Sequence, residues 1–134
     1  MRLMHLGKES HWVWDDTTPS MGKGDLFICA CGSADVAHEN TLCDNAKKTG
    51  ATLILITPSA KGHILEIADK VIRIPATAYK AVYNSEDEYV PTVQMMGNQF
   101  EQALLVFFDV IVMMISEEMG ISKEEMESRH RNIE

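Results

Sequence analysis

Basic residues are scarce in this chain. Twelve Lys+Arg stand against 20 Asp+Glu, a formal net charge of −8, and no basic patch or interleaving of aromatic with basic residues occurs. That balance argues against nucleic acid as a partner. An anionic ligand must be held by local geometry, because the overall field repels it, although salt screens most of that repulsion beyond about 8 Å. Cysteine is sparse too. Cys29, Cys31 and Cys43 make an odd count of 3, so reduced thiols in a cytoplasmic protein are expected. Cys29 and Cys31 have His38 downstream but no second ligand pair, so no metal site is expected. The longest apolar stretch, residues 103–115, is interrupted by Asp109 and falls short of the roughly 18 to 20 residues of a bilayer span, so no membrane partner is expected. Internal repeats, linkers and low-complexity tracts are missing. So is the Gly-rich dinucleotide fingerprint, which tells against a nucleotide-binding or plain flavodoxin-like reading. With 134 residues, 46% of them hydrophobic, the chain suits one globular domain over residues 1–134.

What is present centres on residues 25–57, which read as strand, tight turn, helix and strand. Leu26, Phe27, Ile28, Cys29 and Ala30 form a continuous apolar run, as expected for a parallel strand buried on both faces. The following helix carries Val36, Leu42, Cys43 and Ala46 on one side and stops at Thr49-Gly50, with Lys47 and Lys48 in its last turn. Residues 52–57 are the returning strand. In such a βαβ unit the turn Cys31-Gly32-Ser33-Ala34-Asp35 falls at the carboxyl edge of the sheet. Open α/β sheets collect ligands there, and the helix start offers unpaired N–H groups to a phosphate.

Around this unit, residues 2–6 read as a helix tail ended by Gly7, residues 10–14 as a short strand, and residues 15–24 as a connection. A short helix at 62–68 and a strand at 70–74 continue the alternation of β and α elements, which indicates a doubly wound parallel sheet. Residues 75–91 break the rhythm with Tyr79, Tyr83 and Tyr89 among acidic and small residues. A connection this long reads as an active-site lid or as a plain mobile loop. A long helix follows over 92–119. Its stretch 103–115 is apolar on all sides, as suits a helix buried in the core or at a subunit interface, and oligomerisation follows from it. The last helix begins at Ser122 with Glu125 three residues on, a capping box.

Three segments together resemble the SIS (sugar isomerase) domain and, within it, the 6-phospho-3-hexuloisomerases. They are the turn and helix leading to Ala46-Lys47-Lys48-Thr49-Gly50-Ala51, the run Gln94-Met95-Met96-Gly97-Asn98-Gln99-Phe100-Glu101-Gln102-Ala103-Leu104-Leu105 with Asp109 following, and the terminal Arg129-His130-Arg131-Asn132-Ile133-Glu134. The resemblance implies an α/β flavodoxin-like three-layer αβα sandwich with a parallel sheet, assembled as a homodimer or homotetramer through helices, with sites at subunit interfaces. It also implies reversible conversion of a 3-keto to a 2-keto hexulose phosphate, giving fructose 6-phosphate. That chemistry needs a base at a carbon beside a carbonyl, a group for the enediol oxygens and a phosphate anchor. It requires neither redox cofactor nor metal, so none is expected.

On this resemblance Glu101 is the base and His130 moves protons between oxygens or opens the sugar ring. Glu101 sits beside Phe100 and a Met-rich stretch, where partial desolvation is expected; without the motif it reads as a solvated helix carboxylate. Cys31, Gly32, Ser33, Ala34 and Asp35 form the phosphate turn. The family usually carries serine at Cys31, threonine at Val36 and glycine at Ala34, so side-chain donors are fewer here. Asp35 matches a family glutamate, and an acid at a helix N-terminus needs no ligand role. The chain opens at what resembles the second half of the family's first domain helix, so the preceding strand and its glycine-arginine-serine phosphosugar loop are expected to be absent. Two readings follow: a phosphosugar ketose isomerase, and a non-catalytic SIS module that binds a sugar phosphate as sensor or partner.

Overall fold

The computed structural model describes residues 1–83 and 90–133. Its chain divides into two compact units, Ser20–Ala103 and Met1–Pro19 with Leu104–Glu134. Tyr89 and Glu134, named in the sequence reading, lie outside the described residues.

The unit Ser20–Ala103 is built on a three-stranded sheet in the order β1-β2-β3, with β1 at Leu26–Ala30, β2 at Thr52–Thr57 and β3 at Lys70–Arg73. Both pairings are parallel, with Cys29 opposite Leu55 and Leu55 opposite Val71. Between β1 and β2 runs α2 (Ala37–Thr49), and between β2 and β3 runs α3 (His63–Ile67). Gly50 ends α2 in the left-handed conformation at φ 86°, as the Thr-Gly stop predicts. Cys29, Cys31, Ala34, Cys43, Leu53, Leu55 and Ile64 form the core cluster, with Leu53, Leu55 and Ile64 fully buried. Each of those three side chains contributes about 1.5 to 3 kcal/mol relative to exposure.

The sequence predicts burial of the apolar run of β1 on both faces, and the structure buries only one. Cys29 is buried, whereas Leu26 and Ile28 are 50% and 42% exposed. Alternation along the strand explains the difference: Phe27 and Cys29 face the core cluster, while Leu26 and Ile28 lie on the other face.

In the other unit α1 is Arg2–His5, with Gly7 at φ 76° behind it. Residues 10–14 form no strand, contrary to the sequence expectation; 13 and 14 lie in a turn closed by Asp15 N–H donating to the Trp12 carbonyl. Helix α5 (Lys123–Ser128) starts as its capping box predicts, the Ser122 hydroxyl accepting from Glu125 N–H at 3.1 Å. The Arg129 guanidinium donates to the His5 carbonyl at 2.7 Å and pairs with Glu125 at 2.5 Å.

Helix α4 spans Asn98–Met119 and belongs to both units in turn. It begins six residues later than the apolar pattern suggests, because Met96 takes φ 43° and Asn98 N–H closes a turn onto the Met95 carbonyl. Within this chain the helix is not a core helix. Phe100 alone is buried, while Leu105, Val106, Met113 and Met114 are exposed. Its length and composition would also suffice to cross a bilayer. Against that, Asp109, paired with Arg2, lies midway along it, where a carboxylate costs about 2.5 to 3.5 kcal/mol.

Candidate active site

The turn after β1 is shaped by the backbone. Cys31 N–H donates to the Ile56 carbonyl at 3.1 Å, which carries the strand pairing one residue further. Ala34 N–H donates back to the Cys31 carbonyl at 3.2 Å, and Asp35 N–H donates to the Ser33 hydroxyl at 3.3 Å. Of the N–H groups over residues 32–35, these two are therefore engaged by the turn itself. Those of Gly32 and Ser33 donate to no described residue. Thr57, at the end of β2, donates its hydroxyl to the Gly32 carbonyl at 3.3 Å and accepts from Ser59 N–H at 3.0 Å. The two strand ends are thus tied by the fully buried Thr57, while the equally buried Ser59 hydroxyl donates to the Lys61 carbonyl at 2.8 Å and accepts from Val82 N–H at 3.0 Å.

Ala34 takes φ 56°, which explains structurally why the resembling family prefers glycine there. A left-handed non-glycine residue costs about 1 to 2 kcal/mol, and burial of the Ala34 methyl, which is 0% exposed, recovers about 0.8 kcal/mol. Gly62 makes the turn possible from the other side. Its φ is 145°, and a β-carbon there would stand 2.4 Å from the Ala34 carbonyl oxygen, the same oxygen that accepts from Ile64 N–H at 3.0 Å.

The charge around the turn is not uniformly favourable to an anion. Asp35 is exposed and accepts from the Asn40 side chain at 2.7 Å. Cys31 is buried, and burial together with the nearby Glu39 carboxylate pushes its thiol up to about 11. It is a neutral thiol near neutral pH. Cys29 is likewise raised, by its hydrogen bond to the Cys43 thiol and by burial.

Glu101, in the first turn of α4, belongs to the same unit as the turn at residues 31–35. The link runs through Phe100, which is 4% exposed. A β-carbon built on Gly32 would lie 2.8 Å from Ala78 Cβ and 3.6 Å from Phe100 Cδ1, so only glycine admits so close an approach. A β-carbon on Gly97 would lie 3.5 Å from Glu101 Oε1 and 3.9 Å from the Tyr79 backbone nitrogen. The Glu101 carboxylate and the Tyr79 amide therefore stand near the same glycine. Glu101 itself is exposed, as are Met95 and Met96. The desolvation expected from its Met-rich neighbours is not supplied by these residues.

His130 lies in the other unit. Its Nδ1 is 3.2 Å from His5 Nε2, and the two rings meet edge to face at a centroid distance of 5.1 Å. That unit also holds a cavity of about 550 Å³ lined by Arg2, Asp109, Val112, Met113, Ser116, Glu117 and Met126. Among the lining residues the one cation, Arg2, is paired with Asp109.

Sequence reasoning missed Thr57, Ser59 and Gln99. The first two read as ordinary strand-end residues. Gln99 accepts from Thr77 N–H at 2.7 Å and donates to the Val90 carbonyl at 2.9 Å, a long-range bridge that no local pattern signals.

No family model matches the chain. A 3-hexulose-6-phosphate isomerase from Bacillus subtilis is 34% identical over 134 residues, covering 100% of this chain and 70% of the relative. A 3-hexulose-6-phosphate isomerase from Mycobacterium gastri is also 34% identical, covering 100% of this chain and 65% of the relative. The crystal structure of a hypothetical protein from Methanococcus jannaschii, for which a molecular function of 3-hexulose-6-phosphate isomerase was inferred, superposes with a TM-score of 0.79 at 32% identity, over 99% of this chain and 68% of that one. The chain thus spans about two thirds of the length of the relatives it matches.

Proposed function

Since the chain belongs to the 3-hexulose-6-phosphate isomerase family, we propose that it is a sugar-phosphate ketose isomerase acting between a 3-keto hexulose 6-phosphate and fructose 6-phosphate. The observation that carries this reading beyond family membership is the placement of Glu101 beside the buried Phe100 that closes on Gly32. Glu101 and the turn at residues 31–35 that we assign to the phosphate belong to one compact unit.

The chemistry follows from the two ketoses. In fructose 6-phosphate the C3 proton is acidified by the C2 carbonyl. Glu101 removes that proton, the electron pair forms the 2,3-enediol, and a proton returned to C2 leaves the carbonyl at C3. The oxygens exchange one proton in the course of this shift, which suits an imidazole such as His130. The phosphate sits at the Gly32 and Ser33 N–H groups with the Ser33 hydroxyl, at the start of α2, where the helix end favours negative charge. Retention of Glu101 and His130 supports the enzyme over a non-catalytic binding module. A cytoplasmic setting and a single SIS domain fit the reading, and α4 supplies the apolar surface for a homodimer or homotetramer.

Deuterium exchange tests it. Fructose 6-phosphate incubated with the protein in deuterium oxide should lose its C3 proton signal by nuclear magnetic resonance while keeping both C1 protons. Loss at C1 would indicate an aldose–ketose isomerase, and no loss at either carbon would leave only binding.

A further inference from the structure

We infer that Gln99 is a positioning residue for Glu101, acting through the segment 77–79. This rests on the isomerase reading above.

The Gln99 amide is used at both ends. Its Oε1 accepts from Thr77 N–H at 2.7 Å and its Nε2 donates to the Val90 carbonyl at 2.9 Å. Both partners are backbone groups with one possible role each, so the amide has a single orientation. The segment it holds then runs past the site residue by residue. Thr77 is fixed by Gln99, Ala78 lies against Gly32 of the turn at residues 31–35, and the Tyr79 nitrogen stands beside Gly97, the glycine that Glu101 Oε1 also approaches. A second tie keeps this segment in register, since the Tyr83 hydroxyl accepts from Ala78 N–H at 2.8 Å and donates to the Ala76 carbonyl at 3.3 Å.

Helix geometry completes the connection. Successive residues point about 100° apart around an α-helix. Gln99 anchors one direction of the first turn of α4 by hydrogen bonds, and Phe100 anchors the next by burial against Gly32. With two directions fixed, the third, which Glu101 occupies, is set without any contact to Glu101 itself. A first turn without these two anchors would fray, whereas here the backbone that carries the exposed Glu101 is fixed on two sides.

The test compares wild type, Gln99→Met and Gln99→Glu in the conversion of 3-hexulose 6-phosphate to fructose 6-phosphate, at a temperature where circular dichroism shows all three folded. Methionine keeps the length of the side chain and removes both hydrogen bonds. Glutamate keeps the acceptor for Thr77 and loses the donor to Val90. Displacement of a reacting group by about 1 Å can cost up to 100-fold, so Gln99→Met should lose about tenfold or more in kcat with KM within about twofold, and Gln99→Glu, which keeps the Thr77 tie but sets an acceptor oxygen against the Val90 carbonyl, should recover part of the loss. A Gln99→Met kcat within twofold of wild type overturns the inference. So does a Gln99→Glu kcat no better than that of Gln99→Met, which would make Gln99 a general stabiliser. An inactive wild type would overturn the isomerase reading itself, a failure distinct from the other two.

Discussion

Replacing Gly62 by alanine strikes the turn at residues 31–35 from behind, and the structure allows its cost to be worked out. Gly62 takes φ 145° and ψ 155°, a region that only glycine populates freely, so an alanine there carries about 1 to 3 kcal/mol of backbone strain. The added β-carbon would sit 2.4 Å from the Ala34 oxygen and 2.7 Å from its carbonyl carbon. Both are backbone atoms and cannot swing aside as a flexible side chain can. Moving them breaks the Ile64 N–H to Ala34 bond, worth about 0.5 to 1.5 kcal/mol, and shifts packed backbone at about 1 to 3 kcal/mol. The total loss is about 2.5 to 7.5 kcal/mol, a large part of the roughly 5 to 15 kcal/mol that holds a domain folded. Urea unfolding followed by circular dichroism should show a midpoint at least about 1 M lower. Gly22→Ala is the control, because a β-carbon there meets nothing within 4 Å, and it should change stability by less than about 0.5 kcal/mol. A loss below about 1 kcal/mol in Gly62→Ala would refute the claim that the close approach to Ala34 shapes the turn.

Other consequences can be measured separately. His63 pairs with Asp44 at 2.9 Å, which raises the imidazole above its ordinary 6.5; the stability from this pair is full below pH about 6.5 and lost as pH rises through the raised value. The thermal midpoint should therefore fall more between pH 6 and 8 in wild type than in Asp44→Asn, and equal slopes would count against the pair. Cys31, raised to about 11, should not react with a thiol reagent at pH 8 in the folded protein. With few side-chain donors in the turn, fructose 6-phosphate should bind in the millimolar range, about −4 kcal/mol. Cys31→Ser, which adds a hydroxyl beside Ser33, should tighten it about tenfold, as one hydrogen bond to a charged group is worth about 1.5 to 3 kcal/mol; unchanged calorimetric affinity would remove Cys31 from the site. The exposed apolar face of α4 should make the protein at least a dimer by light scattering at micromolar concentration, and Met113→Glu should weaken that assembly if Met113 lies in the interface. A wild type that stays monomeric would leave the exposed Leu105, Val106 and Met114 without a partner of this kind.

Local signals made much of this fold legible. The apolar run before Cys31, the Thr49-Gly50 stop and the Ser122 to Glu125 capping box each act through neighbouring backbone, and each marked its element to within a residue or two. Features that depend on tertiary contacts were not legible. Burial of Leu26 and Ile28 depends on what covers their side of the sheet, and the pattern of the strand alone overstated it. The start of α4 was misread because apolar residues continue upstream of Asn98, while Met96 at φ 43° turns the chain. The Gly-Ser turn was visible as a turn, whereas the role proposed for Glu101 rests on its surrounding motif. The bridge from Gln99 to Thr77 and Val90, and the approach of Phe100 to Gly32, join residues far apart in sequence and leave no periodic trace.

Glu101 can be tested directly by assaying wild type and Glu101→Gln side by side for conversion of 3-hexulose 6-phosphate to fructose 6-phosphate. Glutamine keeps the size and polarity of the side chain and cannot accept the proton. A general base contributes about 10²- to 10⁴-fold, so wild type should turn over and Glu101→Gln should lose at least about 100-fold in kcat with its fold and KM little changed. Turnover by Glu101→Gln at the wild-type rate, or none by wild type, would contradict the assignment of this chain as an isomerase that works through Glu101.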